Sequence, residues 1–191
     1  MRIISGTHRG RRIPFNNRRF GNARVTSDFL KEAVFGSLAP DLMDQRLLDP
    51  FAGSGQIGLE AISRGAIVWM NDRDRKRYTF IQTLVTDWQL EDQVTLTNDD
   101  WRKLLKKIAD ATCESFDIAY IDPPYDSVSA EGLPESEACL TELNNRGLIR
   151  PGGSVFVQHS HRTGLSDRIG DLKLDRSKKY GDSLLSRYSL G

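Results

Sequence analysis

The stretch Arg46-Leu47-Leu48-Asp49-Pro50-Phe51-Ala52-Gly53-Ser54-Gly55-Gln56-Ile57-Gly58 decides the fold. A short apolar run closes on an aspartate, a glycine-rich turn follows over residues 52–58, and helical spacing takes over from Gln56 to Ser63 until Gly65 stops it. That is one strand–turn–helix unit, and the alternation recurs along the chain. Strands are predicted at Arg46–Asp49, 67–70, Val94–Thr97, Phe116–Ile121, and from Pro151-Gly152-Gly153 through His159. Helices are predicted after the cap cluster Thr26-Ser27-Asp28, with Phe29, Leu30, Ala33, Val34, Ser37 and Leu38 at helical spacing up to Pro40. Others run from Asp74 through Trp88, around Trp101, Leu104, Leu105 and Ile108, and over Glu135–Asn145. The C-terminal end reads as a hairpin turning at Gly181-Asp182. Strands alternating with helices of this length call for a doubly wound, mostly parallel α/β sheet, here with an antiparallel C-terminal hairpin. The expected organisation is an arginine-rich N-terminal extension, 1–25, followed by one domain, 26–191.

Charge is unevenly spread. Of 27 basic residues against 26 acidic ones, the first 24 positions hold seven arginines, Arg2, Arg9, Arg11, Arg12, Arg18, Arg19 and Arg24, and no acid. Guanidinium binds phosphate bidentately and stacks on bases, so this glycine-punctuated segment is expected to lie on nucleic acid, through Arg9, Arg11, Arg12 and Arg24 in particular. Apolar residues make up 38% of the chain with no run approaching a membrane span, so a cytoplasmic protein is expected, with no membrane partner. Cys113 and Cys139 have no CxxC spacing and read as buried thiols. His159 and His161 flank a serine, but no third ligand accompanies them and no metal is expected.

After the apolar run 116–121 stands Asp122-Pro123-Pro124-Tyr125. Neither proline has an N–H, so the chain must turn out of the sheet, presenting a carboxylate, carbonyls and a flat ring. Such a corner suits an exocyclic amine, with the ring stacked on the attached base. Asp122 and the Pro123 carbonyl would accept the two amine protons and aim the nitrogen lone pair, and Tyr125 would stack on the base.

In a doubly wound sheet the ligand sits beyond the carboxyl ends of the strands. Those ends carry Asp49, Asp72 and Asp122, and the remaining strand leads into Asn98-Asp99-Asp100. Gly53-Ser54-Gly55-Gln56-Ile57-Gly58 matches GxGxxG, and Asp72 stands where a ribose-binding acid belongs, so a dinucleotide must be weighed. A pyrophosphate wants N–H groups and no negative charge at the turn, whereas S-adenosyl-L-methionine brings an ammonium and a sulfonium that an acidic pocket favours. Asp49 and the Asp-Pro-Pro-Tyr corner favour the latter.

With Gly58-Leu59-Glu60-Ala61, Ser63-Arg64-Gly65-Ala66 and Tyr180-Gly181-Asp182, these motifs resemble the RsmD-type bacterial 16S rRNA guanine-N2 methyltransferases over nearly the whole chain. The family pattern differs at Val25 and Phe29, where it carries proline and arginine. The resemblance implies a Rossmann-like class I methyltransferase fold, S-adenosyl-L-methionine as cofactor, and transfer of methyl to the N2 amine of one guanine in small-subunit rRNA, free or in an assembly intermediate. It also implies that Asp49, Phe51 and the Gly53, Ser54, Gly55 turn hold the methionine part, Asp72 with Arg73 the ribose side, and Asp99 the adenine amine, in a monomer. Competing readings are a DNA adenine or cytosine N-methyltransferase, a non-catalytic ribosome-assembly factor and, further off, a dehydrogenase.

Overall fold

Leu47 and Leu48, adjacent and so on opposite faces of their strand, are both wholly buried, whereas on the neighbouring strand Val68 and Met70 bury one face while Ile67 on the other is exposed. The computed structural model describes residues 1–16, 20, 26–111, 115–124, 127–130 and 132–191. It divides into two units, Met1–Asp100 and Trp101–Gly191.

The first unit contains α1 (Asp28–Phe35), β1 (Arg46–Asp49), α2 (Gln56–Ser63), β2 (Ile67–Asn71), α3 (Arg75–Trp88) and β3 (Val94–Thr97). Its strands run parallel in the order β3-β2-β1, with Asp49 opposite Met70 and Asn71 opposite Thr97. Helix α2 packs tightly on this sheet: a Cβ on Gly58 would come within 2.7 Å of the Met70 Cγ. The third glycine of the motif therefore serves helix–strand packing. Ser27 caps α1, its Oγ accepting from the Leu30 N–H at 3.2 Å, and Asp74 caps α3 by accepting from Lys76 and Arg77.

The N-terminal segment folds back on this unit. Ile3 and Gly10–Arg11 form a small hairpin, in which the Ile3 N–H donates to the Arg11 carbonyl at 3.0 Å and the Gly10 N–H to the Ile3 carbonyl at 2.9 Å. Buried Glu60, on α2, accepts from the Ile4 and Ser5 N–H groups at 2.7 and 3.0 Å and from the Arg64 guanidinium at 3.0 Å. On the neighbouring turn of α2, Ser63 accepts from the N–H groups of Thr7 and His8. Lys31, buried in α1, donates to the Arg2 carbonyl and pairs with Asp28 at 3.0 Å.

The second unit contains α4 (Trp101–Ala111), β4 (Phe116–Ile121), α5 (Glu135–Asn145), β5 (Ile149–Ser160), β6 (Arg168–Ile169), β7 (Leu172–Tyr180) and β8 (Ser183–Leu190). Strand β5 runs parallel to β4 and antiparallel to β8, which pairs antiparallel with β7, and β7 with β6. The alternating, mostly parallel architecture with an antiparallel C-terminal hairpin is as the sequence leads one to expect.

Three local expectations change. Helix α1 ends at Phe35, short of Pro40, and its buried side is Leu30, Lys31, Val34 and Phe35. Phe29 lies off that side and is 76% exposed. Strand β5 begins at Ile149, before the Pro-Gly-Gly: Ile149 pairs with Phe116 and Ser154 with Ile118, so residues 150–153 bulge out of the ladder. Cys139 is buried as expected, and Cys113 lies outside the described residues.

Replacing Glu60 with alanine leaves two backbone donors and the Arg64 guanidinium without their carboxylate. The expected cost is about 3 to 5 kcal/mol, read as a lowered urea midpoint, with faster amide exchange at Ile4 and Ser5.

Candidate active site

In the first unit the ends of all three strands are tied through one side chain. Asn71, fully buried at the end of β2, donates from Nδ2 to the Pro50 carbonyl at 3.1 Å and to the Asp99 carbonyl at 3.0 Å. Its Oδ1 accepts from the Thr97 hydroxyl at 2.8 Å and from the Asp99 N–H at 2.9 Å. Its backbone carbonyl accepts from the Ala52 N–H at 2.8 Å. An amide side chain has two donors and two acceptor lone pairs, and here all four are used. Sequence reasoning marked only the acids beside it; a residue able both to donate and to accept at the end of a buried strand was the available signal.

The glycine turn is built on this anchor. Gly53 and Gly55 have φ of 58° and 76°, left-handed values that a side chain would resist, and Gly55 opens α2. The Gly53 N–H donates to the Asp72 Oδ2 at 2.8 Å, Gly55 to the Ala52 carbonyl at 2.7 Å, and Phe51 to the Asp49 Oδ1 at 3.3 Å. With Ala52 donating to Asn71, four N–H groups of the turn are already committed.

Asp49 and Asp72 are buried, Asp99 and Phe51 half-buried, Ser54 buried, and Arg73 exposed. The structure thus brings Asp49, Gly53, Ser54, Gly55, Asp72 and Asp99 to one end of this sheet, with Arg73 at its outer margin. Asp72 also accepts from the Asp74 N–H at 2.8 Å, and Arg77 lies 3.6 Å from its Oδ1. Burial raises the Asp72 pKa above its ordinary value, with the Arg77 charge and the two N–H donors opposing that rise.

In the second unit, β4 is buried along its whole length and delivers Asp122 half-buried, Pro123 buried and Pro124 exposed. Tyr125 lies outside the described residues. Pro123 and Pro124 line a small hollow with Glu135, Gln158, His159 and Ser160. Each of the first three polar groups is held from behind. Trp101 Nε1 donates to Glu135 at 3.0 Å and the Tyr120 hydroxyl to Gln158 Oε1 at 2.6 Å. His159 Nδ1 lies 3.1 Å from the carbonyls of Ser160 and Thr163, which places the ring hydrogen there, and Nε2 meets the Ser186 hydroxyl at 2.8 Å. Burial lowers the His159 pKa below its ordinary value, with the Ser160 and Thr163 carbonyls opposing that fall. His161 is exposed, so the two histidines do not share a site.

Arg9, Arg11 and Arg12 are exposed on the N-terminal hairpin, Arg11 lying 4.2 Å over the Trp88 ring. Arg24 is outside the described residues.

Known proteins are similar to this chain in sequence and fold. Ribosomal RNA small subunit methyltransferase D of Escherichia coli (strain K12) is 30% identical over 192 residues, covering 95% of this chain and 85% of that protein. The protein of the same description from Haemophilus influenzae is 30% identical over 169 residues, covering 83% and 78%. The structure of a hypothetical protein from Thermus thermophilus superposes with a TM-score of 0.80 at 27% identity, over 99% of each chain. The fold and these relationships support an S-adenosylmethionine-dependent methyltransferase of Rossmann-like architecture. The chain belongs to the family described as Conserved hypothetical protein 95, which matches residues 1–189.

Two outcomes are expected. Asn71→Asp exchanges an amide donor for a carboxylate facing two carbonyls, which costs about 3 to 5 kcal/mol by urea denaturation. For Asp72 the folded pKa lies above the unfolded one, so its contribution to stability is fully present below the ordinary value of 3.8 and is lost as pH rises through the folded value. The stability of wild type relative to Asp72→Asn should therefore fall over that window, measured as urea midpoints against pH, and level off above it.

Proposed function

We propose that this protein transfers a methyl group from S-adenosyl-L-methionine to the exocyclic N2 amine of a guanine in small-subunit rRNA. The cofactor fits the first unit on chemical grounds. The N–H groups of Phe51, Ala52, Gly53 and Gly55 are donated within the protein, so they do not serve a pyrophosphate as a dinucleotide turn would. Carboxylates stand around the turn instead, matching a cationic ligand. Asp49, Phe51 and residues 53–55 would hold the methionine part, Asp72 with Arg73 the ribose side, and Asp99 the adenine amine. When bound, the cofactor supplies an electrophilic methyl on a sulfonium, so the leaving group is already activated.

The protein's task is then to orient a poor nucleophile, since the guanine amine lone pair is delocalised into its ring. The observation that carries this reading is that fully buried β4 ends on Asp122-Pro123-Pro124, so the chain leaves the sheet as a carboxylate and carbonyls with no N–H from either proline. Asp122 and the Pro123 carbonyl accept hydrogen bonds from the two N2 hydrogens, which draws the nitrogen toward a pyramidal geometry, and as the N–C bond forms one of those protons is lost past the Asp122 carboxylate to water. The Asp122 carboxylate stabilises the positive charge that develops on that nitrogen, and Tyr125 stacks on the base. Exposed Arg9, Arg11 and Arg12, with Arg24, bind the RNA backbone. The named relatives support rRNA as the substrate: at 30% identity they are called ribosomal RNA small subunit methyltransferase D. The working unit is a cytoplasmic monomer acting on rRNA or a small-subunit assembly intermediate.

Incubation with tritiated S-adenosyl-L-methionine and small-subunit rRNA from a methylation-deficient strain, followed by mapping of the labelled base, tests the reading. Asp122→Ala should keep cofactor affinity by calorimetry while label transfer falls by about 100-fold or more. Undiminished transfer would exclude the role given to Asp122.

A further inference from the structure

The C-terminal hairpin carries a row of cations that the proposed reaction does not use. On β7, Arg176, Lys178 and Lys179 are all exposed, and among the described residues no carboxylate pairs with any of them. The row does not arise from simple strand alternation. The register of β7 against β8 shifts between Leu174 and Arg176, which sets Arg176 directly opposite Arg187. Like charges in direct cross-strand opposition repel. Arg187 has answers, with Asp175 at 3.7 Å and the Ser154 hydroxyl at 3.0 Å; among the described residues Arg176 has none. Such an arrangement is relieved by an anion brought from outside.

The position of the row says which anion. Lys178 pairs with Leu185 and Leu185 with Gln158; Lys179 pairs with Leu184 and Leu184 with His159; Tyr180 pairs with Ser183 and Ser183 with Ser160. Gln158, His159 and Ser160 line the hollow whose other wall includes Pro123 and Pro124. Lys178 and Lys179 therefore stand two strand spacings from the residues of that hollow, about 10 Å, and Arg176, in line with Arg187 and Phe156, lies further along the ribbon. Arg176 and Lys178, alternate residues on one face of β7, are about 7 Å apart, a step that successive phosphates of one strand can follow, while Lys179 presents its charge on the other face of the ribbon. Tyr180, half-buried with Lys178 5.5 Å over its ring, adds a stacking surface at the end of the row.

We propose that the β7 ribbon, through Arg176, Lys178 and Lys179, binds the phosphates of the RNA that flank the nucleotide held at the Asp122-Pro123 corner. This rests on the rRNA reading above and adds a second contact, separate from the N-terminal arginines. The competing explanation is that β7, covered by β6 only at Leu172 and Lys173, carries cations to stop its open edge pairing with another chain. Charge reversal separates the two, because glutamates guard an edge as lysines do but repel phosphate.

The test compares the full chain with the triple variant Arg176→Glu, Lys178→Glu, Lys179→Glu, and with a charge-matched control, Lys103→Glu, Lys106→Glu, Lys107→Glu on α4. Small-subunit rRNA binding is titrated against salt and labelled methyl transfer is followed in parallel. In the β7 variant the slope of log affinity on log salt should drop by about 2 to 3, and the KM for RNA should rise by roughly tenfold or more with kcat within about twofold. The control should change much less. Wild-type slope and KM in the β7 variant, or an equal loss in the control, would overturn the ribbon while leaving the proposed reaction standing. A wild-type chain that methylates no rRNA would defeat the reaction itself, and the ribbon with it.

Discussion

The first unit depends on one amide. Three parallel strands end at one edge of a sheet, and each must pass into a loop whose backbone groups are partly shut off from water. Asn71 answers this with two donated and two accepted hydrogen bonds, reaching Pro50 after β1 and both Thr97 and Asp99 around the end of β3. Because no valence of the side chain is left over, its position fixes the three loops together. The Ala52 N–H on the Asn71 carbonyl and the Gly53 N–H on Asp72 then set the glycine turn against β2.

That anchoring bears on cofactor chemistry. A glycine-rich turn at the start of a helix is usually read as a phosphate cradle, since its N–H groups point outward and the helix dipole adds positive potential. Here four of those N–H groups point inward, two of them to aspartates. A turn that has committed its donors and gathered carboxylates favours a cation over a pyrophosphate. In the second unit, β4 reaches the corner through an unbroken buried run and stops where proline removes the next donor.

The elements were largely legible. Continuous apolar runs such as Phe116–Ile121 read as buried strands, and β1, β3, β4, α2 and α5 fall at their expected positions. The caps Ser27 and Asp74 were visible as residue types. What failed depended on facing. Phe29 sits at helical spacing but points away from the packed side, where Lys31 is buried instead because it has both a carbonyl and Asp28 to meet. The strand start at Ile149 was hidden because Pro-Gly-Gly looks like a boundary and is in fact a bulge. Among candidate site residues, the acids and glycines were legible by type and spacing, whereas Asn71, Glu60 and the β7 cations were not.

The sequence by itself determined where the chain turns and which groups each turn can offer. Glycine at left-handed φ, proline without an N–H and the periodicity of apolar side chains are constraints that act within a few residues. Only the tertiary structure decided which partners those groups have. Glu60 meets the N–H groups of Ile4 and Ser5, and Asn71 meets Asp99, across separations that no local pattern encodes. The same holds for charge: a cation on β7 is ordinary until a slip in register sets it opposite another, because electrostatic energy depends on distance in space and not along the chain.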